Sequence, residues 1–326
     1  MAGQNNSDYQ TYYVPEQSKL AIFASTSLGM MLIGVANGIN SSSGHFKGYE
    51  SSTGWWLFFC GLALFGATLF TWFSTTIKEN LKGMNSDQLK RSYRMGMQWF
   101  IFSEVMFFSA FFGALFYVRN FAGPWLAGEG GGREFNASIL WQGFQYVWPL
   151  MHTPQDAVGG VAHQIIANNG VFTGPERNMS FASADSLFKW LPFWNTLLLV
   201  SSSVWCEFAH HALKKNERSK FNFWLFITLL CGFSFVFLQY KEYHEAFTEY
   251  GLTLQSGTYG TTFFMLTGFH GFHVCMGAFM LTIQWLRSVK SKHFTPEDHF
   301  GFEASAWYWH FVDVVWIFLM AVVYLY

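Results

Sequence analysis

Seven long apolar stretches constrain the fold of this 326-residue chain more than any other feature of its sequence. A helix needs about 20 mainly apolar residues to cross a bilayer, whereas the strands of a membrane barrel are shorter and alternate in polarity. Hydrophobic residues make up 51% of the chain and charged residues only 12%, which excludes an ordinary soluble domain. We therefore predict an all-α membrane protein, a single domain of seven transmembrane helices. The predicted spans are 20–39, 55–76, 97–118, 190–212, 222–240, 260–286 and 303–325.

The distribution of basic residues predicts how these helices are oriented. The N-terminus and the connections after the second, fourth and sixth spans share one side of the membrane and are rich in Lys and Arg. By the positive-inside rule, that side is the cytoplasm or the mitochondrial matrix, so the N-terminus lies inside and the C-terminus outside. The basic residues on the inner side are Lys19, Lys78, Lys82, Lys90, Arg91, Arg94, Lys214, Lys215, Arg218, Lys220, Arg287, Lys290 and Lys292.

Charge balance and cysteine spacing exclude several classes of function. The formal net charge is -1, so the chain has no basic excess for binding nucleic acid. Its four cysteines lie in separate apolar segments without CxxC or CxxxC spacing, which argues against a disulfide framework, a zinc site or a dicopper site. These cysteines are Cys60, Cys206, Cys231 and Cys275.

One connection, 119–189, is far longer than the usual loop of about 4–6 residues. It opens with a glycine-rich turn at Gly128 to Gly132 and then contains several aromatic residues. Aromatic side chains favour the membrane interface, and they also suit contact with a partner subunit, so both interpretations stay open. The aromatic residues concerned are Trp141, Phe144, Tyr146 and Trp148.

Ionisable residues lie inside the last two predicted spans, where they are costly and usually mark function or buried pairing. Glu303, His310 and Asp313 are spaced seven and three residues apart, so they share one helix face. A rise of about 1.5 Å per residue brings His270 level with Asp313, and His273 level with His310, in the antiparallel sixth helix. We predict that these five residues form a structural polar seam between the two helices.

Glu104 is a further carboxylate within an apolar span, the third. A role in proton handling and a structural hydrogen bond to a neighbouring helix are both compatible with this position. For Glu207, His210 and His211, at the end of the fourth span, interface snorkelling or helix capping is favoured over ligation. Few histidines lie at membrane depth, so ligation of haem or copper by this chain is disfavoured.

Long segments of the chain resemble a known family. The run HFGFEASAWYWHFVDVVW at His299–Trp316 resembles the last helix of cytochrome c oxidase subunit III, and GTYGTTFFMLTGFHGFHV at Gly257–Val274 resembles its sixth helix. The segment at Leu238–Phe247 resembles the preceding outer loop. Trp194–Leu213 and Gly96–Phe112 are similar to the fourth and third helices.

The resemblance implies a non-catalytic core subunit of the proton-pumping terminal oxidase that reduces O₂ with electrons from cytochrome c. It implies no haem or copper in this chain, since the partner subunits I and II would carry them. It also implies a V-shaped cleft between helices 1–2 and 3–7 that is filled by phospholipids. In this family, the third subunit supports proton uptake by the catalytic subunit and its stability during turnover.

Particular residues match positions with a role in the family. Glu104 matches the buried carboxylate of the third helix, which is associated with support of proton uptake. Trp72, Glu79 and Arg287 match positions associated with lipid headgroups, and a charged residue near the inner interface suits that role. The second helix ends in Trp72-Phe73-Ser74, where the family often has paired Trp and an Arg.

Source and alternative functions follow from the same comparison. The 119–189 connection is longer than in compact mitochondrial members, which favours the inner (plasma) membrane of a bacterium over the mitochondrial inner membrane. One alternative is the homologous subunit of a quinol oxidase, which typically has fewer helices. Another is a free-standing membrane transporter that uses Glu104 and the polar seam as its path.

Overall fold

A computed structural model describes residues 14, 17–42, 52–130, 135, 139, 142–151, 177–180, 184–254, 256–291 and 293–325. The regular secondary structure of these residues consists of helices, joined by turns and loops, and no β-strand occurs among them. Seven long helices account for most of it. They are α1 (Leu20–Ser42), α2 (Thr53–Leu81), α3 (Asp87–Tyr117), α4 (Leu191–Lys214), α5 (Arg218–Thr248), α6 (Gly257–Ser291) and α7 (Phe300–Leu319).

Several helices extend beyond the apolar stretches from which they were predicted. The α3 helix begins at Asp87 rather than near residue 97, and α5 ends at Thr248 rather than near residue 240. Short π-helical turns, Val118–Ala122 and Met320–Leu325, continue α3 and α7. Hydropathy marks only the part of a helix that suits hydrocarbon, whereas backbone hydrogen bonding continues through polar turns at either end.

Six of the seven helices are long and apolar enough to cross a membrane. The exception is α4, because Asn195, Glu207 and the serines at 201–203 lower its mean hydropathy. With 24 residues it is nevertheless about 36 Å long, which is sufficient for a span. The prediction of seven spans and of their orientation therefore remains a prediction.

The chain forms two compact units, and the first contains the described residues up to Met95. In this unit α1 and α2 pack through glycines. A Cβ atom on Gly34 would lie 2.5 Å from the backbone nitrogen of Phe58, and one on Gly54 would lie 2.5 Å from that of Gly38. Small residues permit this close backbone approach, which is a common basis of helix association in membranes.

The second unit runs from Gly96 to the end of the described chain and contains α4 to α7 and most of α3. Its core is rich in aromatic residues, and Trp309 of α7 is fully buried in it. Glycines provide the space for this ring, since a Cβ atom on Gly232 or Gly277 would lie within 2.8 Å of it. The indole nitrogen donates a hydrogen bond to Ser202 Oγ at 2.9 Å. The prediction of a single domain remains a prediction.

A tight turn joins α4 to α5 and sets these helices antiparallel. Asn216 has a φ of 60°, a left-handed conformation that asparagine tolerates better than most residues. Its backbone N–H donates to the Leu213 carbonyl, and the N–H of Glu217 donates to that of Ala212. These bonds satisfy carbonyl groups that the end of α4 would otherwise leave unpaired.

The described part of the 119–189 connection belongs to the second unit and packs within it. The Tyr146 hydroxyl donates to the Arg119 carbonyl at 2.6 Å, and the Trp148 ring lies 5.8 Å from that of Tyr259. The Arg119 guanidinium lies over the Trp148 ring at 5.4 Å. Phe144 is buried, and the predicted interface or partner role of these aromatics remains a prediction. Gly131, Gly132, Trp141 and Lys292 lie outside the described residues.

Candidate functional site

Glu104 of α3 and His273 of α6 form a direct contact within the second unit. Glu104 Oε2 lies 2.8 Å from His273 Nε2, and the side chains are 23% and 8% exposed, respectively. The other ring nitrogen, Nδ1, lies 2.6 Å from the Phe269 carbonyl oxygen one helical turn earlier. The imidazole is therefore held between a backbone acceptor and a carboxyl group.

This geometry determines where the protons of the pair lie. A carbonyl oxygen only accepts, so His273 Nδ1 carries a hydrogen. Nε2 then either accepts a hydrogen bond from a protonated Glu104 or, in the imidazolium form, donates one to the carboxylate. In both cases one proton lies between Glu104 and His273. Its transfer across the 2.8 Å contact interconverts a neutral and an ionic pair without any change of partner.

Aromatic rings surround this pair. The Phe108 ring lies 5.1 Å from the His273 ring, and Tyr308 stacks on it at 6.2 Å. Phe107 and Phe311 lie at 6.2 and 6.4 Å. Such a lining reduces the local dielectric constant, which strengthens a satisfied hydrogen bond and raises the cost of leaving either group unpaired.

His270 provides a direct link between α6 and α7. Its Nε2 donates to the Val312 carbonyl at 3.1 Å, and its ring is buried between Phe235 and Trp316. The acceptor is a backbone carbonyl, so Nε2 carries the hydrogen of the neutral ring. This contact lies at the predicted polar seam, although its partner in α7 is the main chain rather than an ionisable side chain.

His310 has its polar partner on α4, because its Nδ1 lies 3.2 Å from Ser203 Oγ. Asp313 is buried, and its Oδ1 has no hydrogen-bond partner among the described residues. His273, which depth matching set level with His310, instead contacts α3. Depth along a helix predicts which residues are level with each other, but it does not specify which neighbouring helix a side chain faces. The predicted match of His273 with His310 therefore differs from the observed contacts. Glu303 lies in the first turn of α7. The structural role proposed for the seam stays a prediction.

Three histidine rings lie near the carboxylate of Glu207, close to the end of α4. The distances to ring nitrogens are 3.8 Å for His210, 3.5 Å for His211 and 4.0 Å for His310. The sequence had suggested snorkelling or capping for the first two, and it had not connected Glu207 to α7. Within the described ranges no three His, Cys, Asp or Glu side chains converge as a metal site requires.

Of the three residues matched to lipid positions, Glu79 and Arg287 lie near helix ends, whereas Trp72 lies further inside α2. Trp72 is exposed and stacks on Phe73, with ring centroids 6.2 Å apart, and Glu79 lies in the last turn of α2. Arg287 of α6 donates to Gln284 Oε1 at 2.9 Å, and its guanidinium lies over a phenylalanine of the following loop. Their binding of lipid stays a prediction.

Glu242 is a buried acidic residue that the sequence interpretation missed. Its side chain is fully buried in α5, where Oε1 accepts from the Tyr324 hydroxyl at 2.6 Å and Oε2 from Asn195 Nδ2 at 3.3 Å. Ending the fifth span at residue 240 placed Glu242 in a loop. Gln239, Glu242 and Ala246 have helical spacing, and that pattern could have extended the helix.

Comparison with known proteins supports the resemblance. The sequence model of the family "Cytochrome c oxidase subunit III" matches residues 11–123 and 187–326. The protein named cytochrome c oxidase subunit 3 from Tetraodon nigroviridis is 36% identical over 265 residues, which cover 81% of each chain. Its counterpart from Hippopotamus amphibius is 35% identical over 258 residues, 79% of this chain and 78% of that one.

The gap between the two matched ranges falls inside the long 119–189 connection. The relatives are vertebrate proteins, so they lend no support to a bacterial source, which stays a prediction. The alternatives of a quinol oxidase subunit and a free-standing transporter also gain no support from them. Two matched ranges that include all seven long helices, together with more than one third identity to a relative, establish the assignment. This chain belongs to the cytochrome c oxidase subunit III family.

Proposed function

We propose that this chain is the non-catalytic third subunit of a proton-pumping cytochrome c oxidase in aerobic respiratory electron transport. Subunits I and II are its direct partners, and they bind the haem and copper that pass electrons from cytochrome c to O₂. The chain itself binds no redox cofactor in this proposal. Membership of the subunit III family supports assembly into such a complex.

The proposed topology has seven spans, with the N-terminus inside and the C-terminus outside. Six helices of suitable composition and the length of α4 support it. An odd number of crossings puts the two termini on opposite sides, whereas six crossings would put them on the same side. Protease removal of an epitope at either end, in vesicles of both orientations, tests this difference. Removal of both epitopes from the same side would contradict seven spans.

The contact that best supports a role in proton uptake is the one between Glu104 and His273. The two side chains lie 2.8 Å apart with one proton between them, and aromatic rings surround the pair. A carboxyl with such a partner can lose and regain a proton without becoming an isolated charge in the membrane. The pair is therefore suited to buffering protons for a neighbouring catalytic subunit.

Phospholipids are proposed to bind at Trp72 and Glu79 of α2 and at Arg287 of α6, the residues that match lipid-headgroup positions of the family. Trp72 presents an exposed aromatic ring of the kind found at headgroup level. Glu79 and Arg287 supply charge near the same predicted side of the membrane.

The length of the 119–189 connection favours the bacterial plasma membrane as the location, and the mitochondrial inner membrane is the alternative.

Purification through a tag on this chain in mild detergent tests the complex. Haem-bearing and copper-bearing subunits should co-purify in a fixed ratio with the tagged chain. A chain that emerges alone and colourless, from cells with active cytochrome c oxidase, would contradict the proposal.

The Glu104→Gln variant tests the proton role within the assembled oxidase. We expect initial turnover close to that of the unchanged enzyme, followed by inactivation after several-fold fewer turnovers, because Gln cannot exchange a proton with His273. Ser103→Ala is the matched control, since Ser103 is exposed and bonds only to the Phe100 carbonyl of its own helix. Equal durability of both variants would reduce Glu104 to a packing residue.

A further inference from the structure

Tyr308 of α7 lies against the imidazole ring of His273. The two rings are stacked, with centroids 6.2 Å apart and an angle of 23° between their planes. The ring of Phe107 is tilted by 33° to the imidazole, and those of Phe108 and Phe311 stand at 62° and 69°. Of the aromatic rings described around His273, Tyr308 is therefore the nearest to a face-to-face contact.

The packing around Tyr308 fixes the position of its ring. The side chain is buried, and the ring of Phe100 on α3 stacks on it at 5.9 Å and 19°. A Cβ atom on Gly277, one turn after His273 on α6, would lie 3.4 Å from Tyr308 Cδ1, so the ring also rests close to the α6 backbone. Contacts from α3 and α6 therefore hold the Tyr308 ring against the imidazole.

Both nitrogens of the His273 ring face oxygen atoms. Nδ1 lies 2.6 Å from the Phe269 carbonyl oxygen, and Nε2 lies 2.8 Å from Glu104 Oε2. An imidazolium donates from both nitrogens, so the ionic form of the pair satisfies both contacts. The neutral form satisfies them as well, since a protonated Glu104 donates to Nε2. Hydrogen bonding alone therefore does not decide which atom carries the shared proton.

A stacked aromatic ring acts on only one of these two forms. The face of an aromatic ring carries partial negative charge, so it attracts an imidazolium more strongly than a neutral imidazole. Burial penalises the charges of the ionic form, and their direct contact offsets part of that penalty. The Tyr308 ring adds an attraction that the neutral form lacks, and it therefore favours the imidazolium.

We propose that Tyr308 is a positioning residue of the Glu104–His273 pair, whose stacked ring keeps the shared proton on His273 and leaves Glu104 as a carboxylate. In this transfer the O–H bond of the Glu104 carboxyl breaks while an N–H bond forms at His273 Nε2, and no other group gains or loses a proton. This role rests on the proposed proton-uptake function of the pair. With Glu104 ionised and 23% exposed, the pair can accept a further proton at its accessible side chain.

Infrared spectroscopy of the assembled oxidase near neutral pH tests this assignment. Protonated and ionised carboxyl groups absorb at different frequencies, and Glu104→Gln identifies the bands that belong to Glu104. In the otherwise unchanged complex, Glu104→Gln should remove carboxylate bands and no band of a protonated carboxyl.

Tyr308→Leu removes the stacked ring. We expect the ratio of protonated to ionised Glu104 to rise by about tenfold or more, the size expected for loss of a buried cation–π contact. The new band should disappear when Glu104→Gln is added. Tyr308→Phe, which retains the ring and lacks only the hydroxyl, should restore the spectrum of the unchanged complex. Should the Leu variant fail to assemble, Tyr308→Met supplies a flexible side chain without a ring for the same measurement.

The matched control is Phe302→Leu, because Phe302 is a buried aromatic residue of the same helix whose ring contacts Phe221 and His210 rather than His273. Its Glu104 bands should equal those of the unchanged complex. An unaltered ratio in both ring-free variants, an equal rise in Phe302→Leu, or a rise in Tyr308→Phe would each overturn the assignment. A protonated Glu104 in the unchanged complex would overturn it too.

These spectra need no turnover, so they are independent of the durability measurement on Glu104→Gln. A failure of the proposed function would instead appear as a chain without haem and copper subunits, or as unchanged durability of Glu104→Gln.

Discussion

Two glutamates of the second unit, Glu104 and Glu242, differ in the kind of partner that they meet. Glu104 lies 2.8 Å from a histidine ring and is 23% exposed. Glu242 is fully buried and accepts hydrogen bonds from a tyrosine hydroxyl and an asparagine amide. Histidine can share or take up a proton near neutral pH, and the partners of Glu242 do not. Partner chemistry, rather than depth alone, therefore separates a site suited to proton exchange from a structural one.

The Glu242 cluster also connects more of the fold. Its contacts join α5 to Asn195 near the start of α4 and to Tyr324 in the π-helical turn after α7. Asn195 additionally approaches Gln239 at 3.4 Å. Each of these polar groups is buried, so loss of one removes a hydrogen bond from its neighbours in a setting where an unpaired polar atom is costly.

Replacement of Glu242 by Ala should produce the largest effect. It leaves the Tyr324 hydroxyl buried without its acceptor, removes one of the two acceptors of the Asn195 amide and opens a cavity. We expect the free energy of unfolding in mild detergent to fall by about 3 kcal/mol or more. Glu249→Ala, at an exposed position just after α5, is the matched control and should have little effect. Equal stability of the two variants would contradict a structural role for Glu242.

A smaller loss is expected for Tyr324→Phe, which deletes one hydroxyl. Glu242 Oε1 then has no donor in a buried setting, at a cost of about 2 kcal/mol. Tyr240→Phe, which removes the hydroxyl of an exposed tyrosine on α5, provides the control. Denaturant titration of both variants measures the difference. A Tyr324→Phe chain as stable as its control would show that Glu242 is satisfied in another way.

The smallest effect on stability should come from the Glu104–His273 pair. A double-mutant cycle with Glu104→Ala and His273→Ala should give a coupling free energy of about 1 kcal/mol, because Glu104 is partly exposed. The same cycle applied to Glu242 and Tyr324 should give a larger value. A coupling free energy for Glu104 and His273 that exceeds the one for Glu242 and Tyr324 would contradict this comparison, because the proton-exchange pair would then stabilise the fold more than the structural cluster.

The helices were predictable because each is encoded locally. Apolar runs identified them, and the composition of α4 explains why one of the seven is less apolar than the rest. The position of Glu104 inside an apolar segment was equally visible. Its partner was not, since His273 lies 169 residues away and only the packing of α3 against α6 brings them together. Glu242 was missed because helices continue past the apolar window.

The sequence by itself determined the helical class, the family and the presence of ionisable residues within apolar segments, because hydrophobicity and motif are properties of consecutive residues. Tertiary structure alone decided which of those residues meet. Helix rise predicts depth, but packing decides which face meets which neighbour. For that reason His273 contacts Glu104, His310 contacts Ser203, and Glu242 meets Tyr324.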